Sequence, residues 1–529
     1  MRNTELLDSP LNITFEVCLT MTDDEFREWF LEFRKFVVHL WDDKGLPPRV
    51  GMDDEAIRDQ FKKLYGFDVN KFECVDENTG VADVVRNTSY LGNSVNEWFP
   101  TMMKTRINYT MDGEAGLSIY DHFAEDRLIE KTVRYSFRHF KRDSFYHYSD
   151  PIRIGDTVTI GSKSHVITED AQTFIDWFEN EARVYGTHDY WIDQRKEAVT
   201  EYTGYNEELK KVTWVRMSKD ELALSNNIPE RCLTNVTDKR PCVSYQIRLY
   251  KYGQKLFPLG LKAFRISWSQ YAVNFPPLTA KYLYEKFTRH ISDQKRVVVY
   301  DPSSGWGGRI LGAMSARTTI PLHYVGTDPN TDHSVSENGV HRTKYEVIAD
   351  FYNRTKNEAV LFKQANTYDV YQLGSEVIGN NENFQQYKGE LDMVFTSPPY
   401  FSKEAYSDDP EQSYKKFSQY DTWRDGFLRP TLQTAVEYLR EDRYLLWNIA
   451  DAKFGNELLP LEQDSRDILE SLGMVYQGVV KMALAQMPGG NRIDTETGKP
   501  KAKNCCRING KWVKYEPIFV YYKPKSTST

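Results

Sequence analysis

At 529 residues, with a formal net charge of −8 and 40% apolar residues, the chain is long enough for two or three domains and apolar enough to build a core. No run approaches the ~18 consecutive apolar residues of a membrane span. The opening "MRNTELLDSPLNITFEV" lacks the basic start, apolar centre and small-residue cleavage site of a secretory signal. The expectation is a cytoplasmic protein with no membrane partner. The acidic total argues only weakly against nucleic acid, because binding needs a local positive footprint rather than a positive sum.

In chain order, "DDEFREWFLEFRKFVVHLW" (23 to 41) spaces aromatic and aliphatic residues three and four apart, which predicts an amphipathic helix with its apolar face in a core. "TVRYSFRHFKRDSFYHY" (132 to 148) interleaves aromatic and basic residues, among them Arg138 and Lys141. Such a stretch can set cations on phosphates and rings against bases. An ordinary half-buried element with a solvated basic face gives the same pattern. Residues 1–240 are expected to form a mixed, largely helical N-terminal region that serves target recognition or DNA binding. Cys18, Cys74, Cys232, Cys242, Cys505 and Cys506 contain no CxxC spacing, so reduced thiols are expected, with neither a disulfide framework nor a metal site.

From 241 onward a βα rhythm begins. Strands are predicted at 296 to 300, 322 to 330, 359 to 370, 390 to 400 and 442 to 453, with helical spacing between them, notably over 421 to 440. Two further strands, 473 to 484 and 515 to 524, are joined by a long polar, basic loop. Strands alternating with helices imply a mostly parallel sheet covered on both faces, here of α/β class with an antiparallel finish.

In an open sheet of this kind the ligand lies at the carboxyl ends of the strands, and the chemistry-bearing residues are predicted there. Asp301 closes the first strand and is followed by Gly305, Gly307 and Gly308. The glycines allow a sharp turn and close approach to a ligand. The spacing does not match GxGxxG, and no GxxxxGK[ST] is present, which disfavours a P-loop. Asp328 ends the second strand, where an acid accepts hydrogen bonds from ribose hydroxyls; taken alone, an acid opening a turn before Pro329 accounts for it equally well.

The most specific signal is "TSPPY" at the end of the fourth strand. Proline has no N–H for a sheet ladder, so the strand must stop there. An enzyme that alkylates an exocyclic amine needs acceptors for the two amine hydrogens, which favour a tetrahedral nitrogen. The Ser397 oxygen and the Pro398 carbonyl can provide them, with Pro398 and Pro399 holding the turn rigid and Tyr400 supplying a stacking face. A base in a duplex must be extruded to reach such a corner.

Ser397, Pro398, Pro399 and Tyr400 resemble the [DNS]PP[YFW] signature of the S-adenosylmethionine-dependent DNA amino-methyltransferases, which modify adenine N6 or cytosine N4. "DPSSGWGGR" resembles their cofactor turn, and "AVNFPPLTAKYLYEKF" (272 to 287) the segment over the methionine end of the cofactor. The resemblance covers roughly 260 to 525. "QSYKKFSQYDTW" (412 to 423) is similar to phage and mobile-element methylases. The resemblance implies a Rossmann-like, seven-stranded methyltransferase sheet over 241–529 and S-adenosylmethionine as cofactor. It implies cofactor contacts at Phe275, Pro276, Asp301, Ser303, Gly305 and Gly307, the ribose at Asp328 and the adenine at Asn366, placed at the third strand end, where the family's usual acid is missing and Asn366 or Asp369 must substitute. Trp306 replaces a small residue, and the large region ahead of the cofactor turn fits no circular order of the family with ease. Serine at the first signature position leans toward cytosine N4. The implied partner is double-stranded DNA, with a restriction or defence-system partner admitted and the oligomeric state left open. The loop 489 to 514 offers Arg492, Lys499, Lys501, Lys503 and Arg507 to phosphates, or forms a solvated hairpin tip.

An RNA base or a protein amide presents the same amine, so a methyltransferase acting on either is an alternative. A catalytically silent nucleic-acid-binding protein is another, and a dinucleotide-dependent oxidoreductase a weaker third. Carbon-5 cytosine chemistry is disfavoured, since no Pro-Cys pair falls at a strand end within 260 to 525.

Overall fold

The computed structural model describes residues 3–14, 17, 21–49, 51–86, 91–107, 116–128, 272–329, 334–337, 339–359, 366–407, 409–454, 457–484, 500 and 503–526. Between 152 and 257 it describes strands and a few single residues only. The chain divides into two compact units, Val50–Asp121 with Gln270–Thr529, and Asn3–Arg49 with His122–Ser269. The expected single boundary after residue 240 is thus replaced by an interleaved division.

The second unit contains helix α1 (Asp23–Lys44), as its apolar spacing predicts. A capping box of Thr22 and Glu25 opens it, and Gly45 at φ 65° closes it. Phe26, Phe30, Phe33, Val37 and Leu40 are buried along one face. Three antiparallel strands, Ile192–Arg195, Val199–Asn206 and Lys211–Ser218, form a meander in the same unit.

The first unit is built on one ten-stranded sheet. Its strands are β1 (Glu73–Asp76), β2 (Val81–Arg86), β3 (Val297–Asp301), β4 (Leu322–Thr327) and β5 (Thr367–Tyr371). They continue with β6 (Leu391–Thr396), β7 (Leu439–Asn448), β8 (Val475–Ala483), β9 (Cys505–Ile508) and β10 (Lys511–Lys523). The spatial order is β1-β2-β8-β10-β7-β6-β3-β4-β5, with β9 hairpinned onto β10. From β5 to β7 every neighbouring pair is parallel, and β10 runs antiparallel between β7 and β8. The seven strands β5 to β8 in this order form a Rossmann-like sheet with one reversed strand. The chain winds outward from β3 to β5 and then from β6 to β7, so its switch point lies between β3 and β6, where such sheets bind ligands.

Every residue of β3, β4 and β6 is buried, as expected of parallel strands covered on both faces. Alternate side chains enter different cores. Val297, Val299, Met393 and Phe395 join Phe61, Leu283 and Ile310 on one side. Val298, Tyr300 and Val394 join Trp423, Leu432, Trp447 and Ile468 on the other. The first core takes helices α2 (Asp54–Gly66), α3 (Pro277–Thr288), α4 (Gly308–Ser315) and α5 (Lys344–Ala359). The second takes α6 (Arg429–Tyr438) and α7 (Leu461–Ser471). The helix predicted over 421 to 440 contains a π turn at Arg424–Leu428 ahead of Pro430, the usual response to a proline that cannot donate to the preceding turn.

Residues 50–121 belong to this sheet. β2 lies parallel to β8, and the Lys481 ammonium is bonded to Asp76 at 2.7 Å and Asp83 at 2.9 Å. β9 and β10 turn through Asn509 and Gly510, both at positive φ, the Asn-Gly turn that matches strand twist in a hairpin.

One strand differs from expectation in a way that matters. β5 begins at Thr367, so Asn366 precedes the strand at the amino edge of the sheet instead of closing it at the carboxyl edge. It is 1% exposed. Its Nδ2 donates to the carbonyls of Ala313 (2.8 Å) and Ala316 (3.0 Å), and its Oδ1 accepts from the Leu322 N–H (3.1 Å). Asn366 therefore ties the end of α4 to the start of β4, and the adenine contact expected of it is ruled out by position. Asn366→Ala should cost about 2 kcal/mol or more by stranding these buried groups, read as a lower thermal midpoint, while affinity for S-adenosylmethionine stays at the wild-type value.

Candidate active site

The carboxyl ends of β3 and β6 are joined by a side-chain bond: Thr396 Oγ1 donates to Asp301 Oδ1 at 2.7 Å. Asp301 is wholly buried. Its Oδ2 accepts from Arg309 Nε (2.9 Å) and from the Tyr324 hydroxyl (2.7 Å), and its Oδ1 also accepts from the Ser303 N–H (3.3 Å). A buried carboxylate must be compensated in this way, and here the compensation draws together β3, β4, β6 and the first turn of α4. Burial works against the Arg309 charge, but the adjacent Asp301 outweighs it and the guanidinium pKa is raised.

The loop Asp301–Gly307 is shaped by this network. Arg309 also donates to the Ser303 carbonyl, the Ser304 N–H donates to the Thr327 carbonyl (2.9 Å), and the Gly305 N–H donates to Asp328 Oδ2 (2.9 Å). Gly305 and Gly307 have φ of 59° and 74°, the left-handed region that glycine enters without strain. A Cβ on Gly307 would stand 2.9 Å from Phe99, and one on Gly308 would overlap the Phe275 carbonyl oxygen. A Cβ on Gly305 would meet Arg309 at 3.5 Å, an ordinary contact, so the left-handed φ and not crowding is what favours glycine there. Residues 272–276 strap this loop. Asn274 Nδ2 donates to the Trp306 carbonyl at 2.7 Å, Phe275 is buried edge-on against Phe395, and Pro276 caps α3.

The corner after β6 is partly open: Pro398 is buried, while Ser397, Pro399 and Tyr400 are half-buried. The Tyr400 hydroxyl donates to Glu516 Oε1 at 2.6 Å and lies 3.5 Å from the Asn448 carbonyl. Burial, then the negative Glu516, pushes the Tyr400 pKa well up. Beyond the corner, Tyr406 sets its ring edge-on against Trp306 of the glycine loop, with centroids 5.2 Å apart. Its hydroxyl is bonded to Glu404. Burial raises the pKa of both Glu404 and Glu516.

The structure thus brings together Phe275, Pro276, Asp301, Ser303, Gly305, Gly307, Asp328 and the segment Ser397–Tyr400 at one sheet edge, and leaves Asn366 outside. At that edge β5 ends in Tyr371, whose carbonyl accepts from the Asp328 N–H at 3.1 Å. Sequence reasoning missed Arg309, Tyr324, Glu404, Tyr406 and Glu516. Glu404 and Tyr406 lie within a few residues of the proline corner, and Glu516 is a lone acid in the otherwise apolar "YEPIFVYY"; both were visible signals.

Of the basic residues proposed to face nucleic acid, Arg138, Lys141, Arg492, Lys499 and Lys501 lie outside the described residues. Lys503 reaches the carboxyl end of β7 and is bonded to Asp451 (3.1 Å) and Glu462 (3.0 Å). Arg507 is 3.8 Å from Glu77. Among the described residues no cluster of three metal-ligating side chains occurs, and no helix is long and apolar enough to cross a membrane.

No family model matches the chain, and no curated protein matches it. Solved structures that resemble it include a candidate DNA modification methylase of Thermus thermophilus complexed with S-adenosyl-L-methionine, at 20% identity over 27% of this chain and 51% of that one, with a TM-score of 0.17. The precorrin-6y C5,15-methyltransferase of Geobacter metallireducens matches at 11% identity over 47% and 87% of the two chains, with a TM-score of 0.24. A TehB-like SAM-dependent methyltransferase of Corynebacterium glutamicum matches at 11% identity over 50% and 94%, with a TM-score of 0.23. The match spans about half the length of the first of these structures. At these TM-scores the likenesses add no argument to the sheet order itself.

Asp301→Asn leaves Arg309 buried without its counter-charge. It should cost about 3 kcal/mol or more, and thermal unfolding should show the loss both with and without S-adenosylmethionine.

Proposed function

We propose that this protein is a methyltransferase that uses S-adenosylmethionine to methylate the exocyclic amine of a DNA base extruded into the Ser397–Tyr400 corner. The observation that carries this reading is the 2.7 Å bond from Thr396 to Asp301, which fixes the proline corner and the glycine loop side by side at the switch point of the sheet. Had the corner faced away from the loop, two substrates could not meet there.

The residues present fit the cofactor. The left-handed Gly305 and Gly307 shape a cradle of backbone that a ligand can approach closely, the half-buried Asp328 carboxylate stands beside it for ribose hydroxyls, and Phe275, Pro276 and Trp306 supply apolar cover. Ser303, Gly305 and Gly307 form the backbone of the cradle. Both Asp301 oxygens are already taken by the chain, so its role is to hold the loop. The adenine edge falls to the β5 end at Tyr371 and Gln372. When bound, S-adenosylmethionine supplies the methyl group.

The Ser397 hydroxyl and the Pro398 carbonyl accept the two amine hydrogens and turn the nitrogen lone pair toward the cofactor side. Transfer is a direct in-line displacement with no enzyme-bound intermediate. Tyr400, with its hydroxyl fixed on Glu516, offers a ring of set orientation for stacking. Serine at the first corner position favours cytosine N4 over adenine N6. Phosphate contacts are assigned to the loop 489 to 514, with Arg492, Lys499 and Lys501, and to Arg138 and Lys141, with double-stranded DNA as partner.

Duplex DNA incubated with methyl-labelled cofactor, then digested to nucleosides, should yield labelled N4-methylcytosine, or else N6-methyladenine. Label on neither base would overturn the reading, and absence of cofactor binding in calorimetry would favour a silent scaffold. Ser397→Ala should lower kcat by about a hundredfold, since one of two positioned groups is lost, while the cofactor Kd stays within about threefold. Tyr400→Ala should lower the rate on duplex DNA and leave cofactor affinity in place; an unchanged rate removes its stacking role.

A further inference from the structure

We propose that Phe401 is a positioning residue for methyl transfer: its ring, held among Tyr420, Trp423 and Phe454, keeps the chain in a left-handed turn and so fixes where the Ser397 and Pro398 oxygens point. The inference rests on the base-amine reading above and deepens it.

The corner is a short span clamped at both ends. At its start Thr396 is bonded to Asp301 at 2.7 Å. Pro398 and Pro399 then confine the backbone to a narrow φ at each position. At its end the chain reverses: the Lys403 N–H donates to the Tyr400 carbonyl at 3.1 Å, which closes a turn with Phe401 as its second residue. Phe401 has a φ of 53°. Turns with positive φ at this place ordinarily carry glycine, asparagine or aspartate, and a bulky side chain there is strained. The other described non-glycine residues at positive φ are Asp442 and Asn509, of types that tolerate it, so Phe401 is the outlier.

Strain of this kind persists only where the surroundings impose it. The Phe401 ring lies 5.9 Å from that of Tyr420 and 5.8 Å from those of Trp423 and Phe454, tilted or edge-on to each, the arrangement aromatic pairs favour. Each wall is itself tied down. Trp423 is wholly buried, and its Nε1 donates to Ser413 Oγ at 3.1 Å. The Tyr420 hydroxyl donates to Asp464 at 2.6 Å, and Phe454 ends the first strand of a hairpin, Ala452–Phe454 against Glu457–Leu459.

A ring that only filled the core would need no strained backbone beneath it, and a turn that only reversed the chain would be better served by glycine. Phe401 joins the two, so side-chain packing sets the orientation of the corner. Methyl transfer depends on that orientation, because reacting groups displaced by about 1 Å lose as much as about a hundredfold in rate.

Full-length wild type, Phe401→Ala, Phe401→Gly and Phe401→Tyr are compared by single-turnover transfer of labelled methyl to duplex DNA, by calorimetry with S-adenosylmethionine and by thermal unfolding. Rates are read at a temperature where every variant is folded. Phe401→Ala loses the ring and keeps the strain, whereas Phe401→Gly loses both, so the glycine variant should unfold at the higher midpoint. Both should nevertheless transfer methyl about tenfold or more slowly than wild type, with cofactor Kd within about threefold. Phe401→Tyr, which refills the cage, should return the rate. Phe454→Ala, which removes one wall, should slow transfer in the same way, and combining it with Phe401→Ala should add no further loss.

A wild-type rate in Phe401→Ala, a rate in Phe401→Gly that recovers with its stability, or losses that add in the double variant overturn the assignment. Should Phe401→Ala fail to fold, Phe401→Gly and Phe454→Ala decide by the same criteria. A wild type that labels no base overturns the base-amine reading and this inference with it, whereas an active wild type with unaffected variants overturns this inference alone.

Discussion

The site depends on the neutralisation of one buried carboxylate. Asp301 has no access to water, so its charge must be met within the chain, and the groups that meet it come from four directions: Arg309 on α4, Tyr324 on β4, Ser303 in the loop and Thr396 at the end of β6. Satisfying the charge and positioning the loop are the same act. The glycines that follow can take left-handed turns because the loop is pinned at its root, and the proline corner is held at a fixed distance because its preceding residue is one of the partners.

A second consequence concerns charge at the sheet edge. The site holds Asp301, Asp328, Glu404 and Glu516, which would repel a polyanion if all were free and ionised. They are not equivalent. Asp301 is paired with Arg309, while Glu404 and Glu516 are pushed toward their neutral forms by burial. The sheet edge is therefore less negative than its four carboxylates suggest.

Much of the sheet was legible because buried parallel strands read as apolar runs: "RVVVYD", "LHYVGT" and "LDMVFT" announce β3, β4 and β6, although the strands expected over 322 to 330 and 390 to 400 run about three to four residues past the observed ends at Thr327 and Thr396. β5 was misplaced because it is the edge strand. Its own "TYDVY" is half polar, while the apolar "AVLF" ahead of it suggests an earlier start, and the slip moved Asn366 from one end of the sheet to the other. The position of the proline corner was legible since its residues are contiguous in sequence. Its supports were not: Glu516 reaches Tyr400 from 116 positions away, a contact fixed by strand order that no local pattern encodes. The basic loop shows the same limit, for composition reveals Lys503 but not the two carboxylates that occupy it.

The pairing of β2 with β8 bears on how the chain is made. Asp76 and Lys481 are bonded across 405 positions of sequence, so the outer strands of the sheet cannot close until β8 has left the ribosome. Contacts of such long range are slow to form, and until they do the lysine end of β8 presents an unpaired edge, the kind of surface that invites association with other chains. A fragment beginning after residue 240 would carry that edge permanently, which makes Val50–Asp121, the segment that carries β1 and β2, part of the sheet's completion rather than an appendage to it.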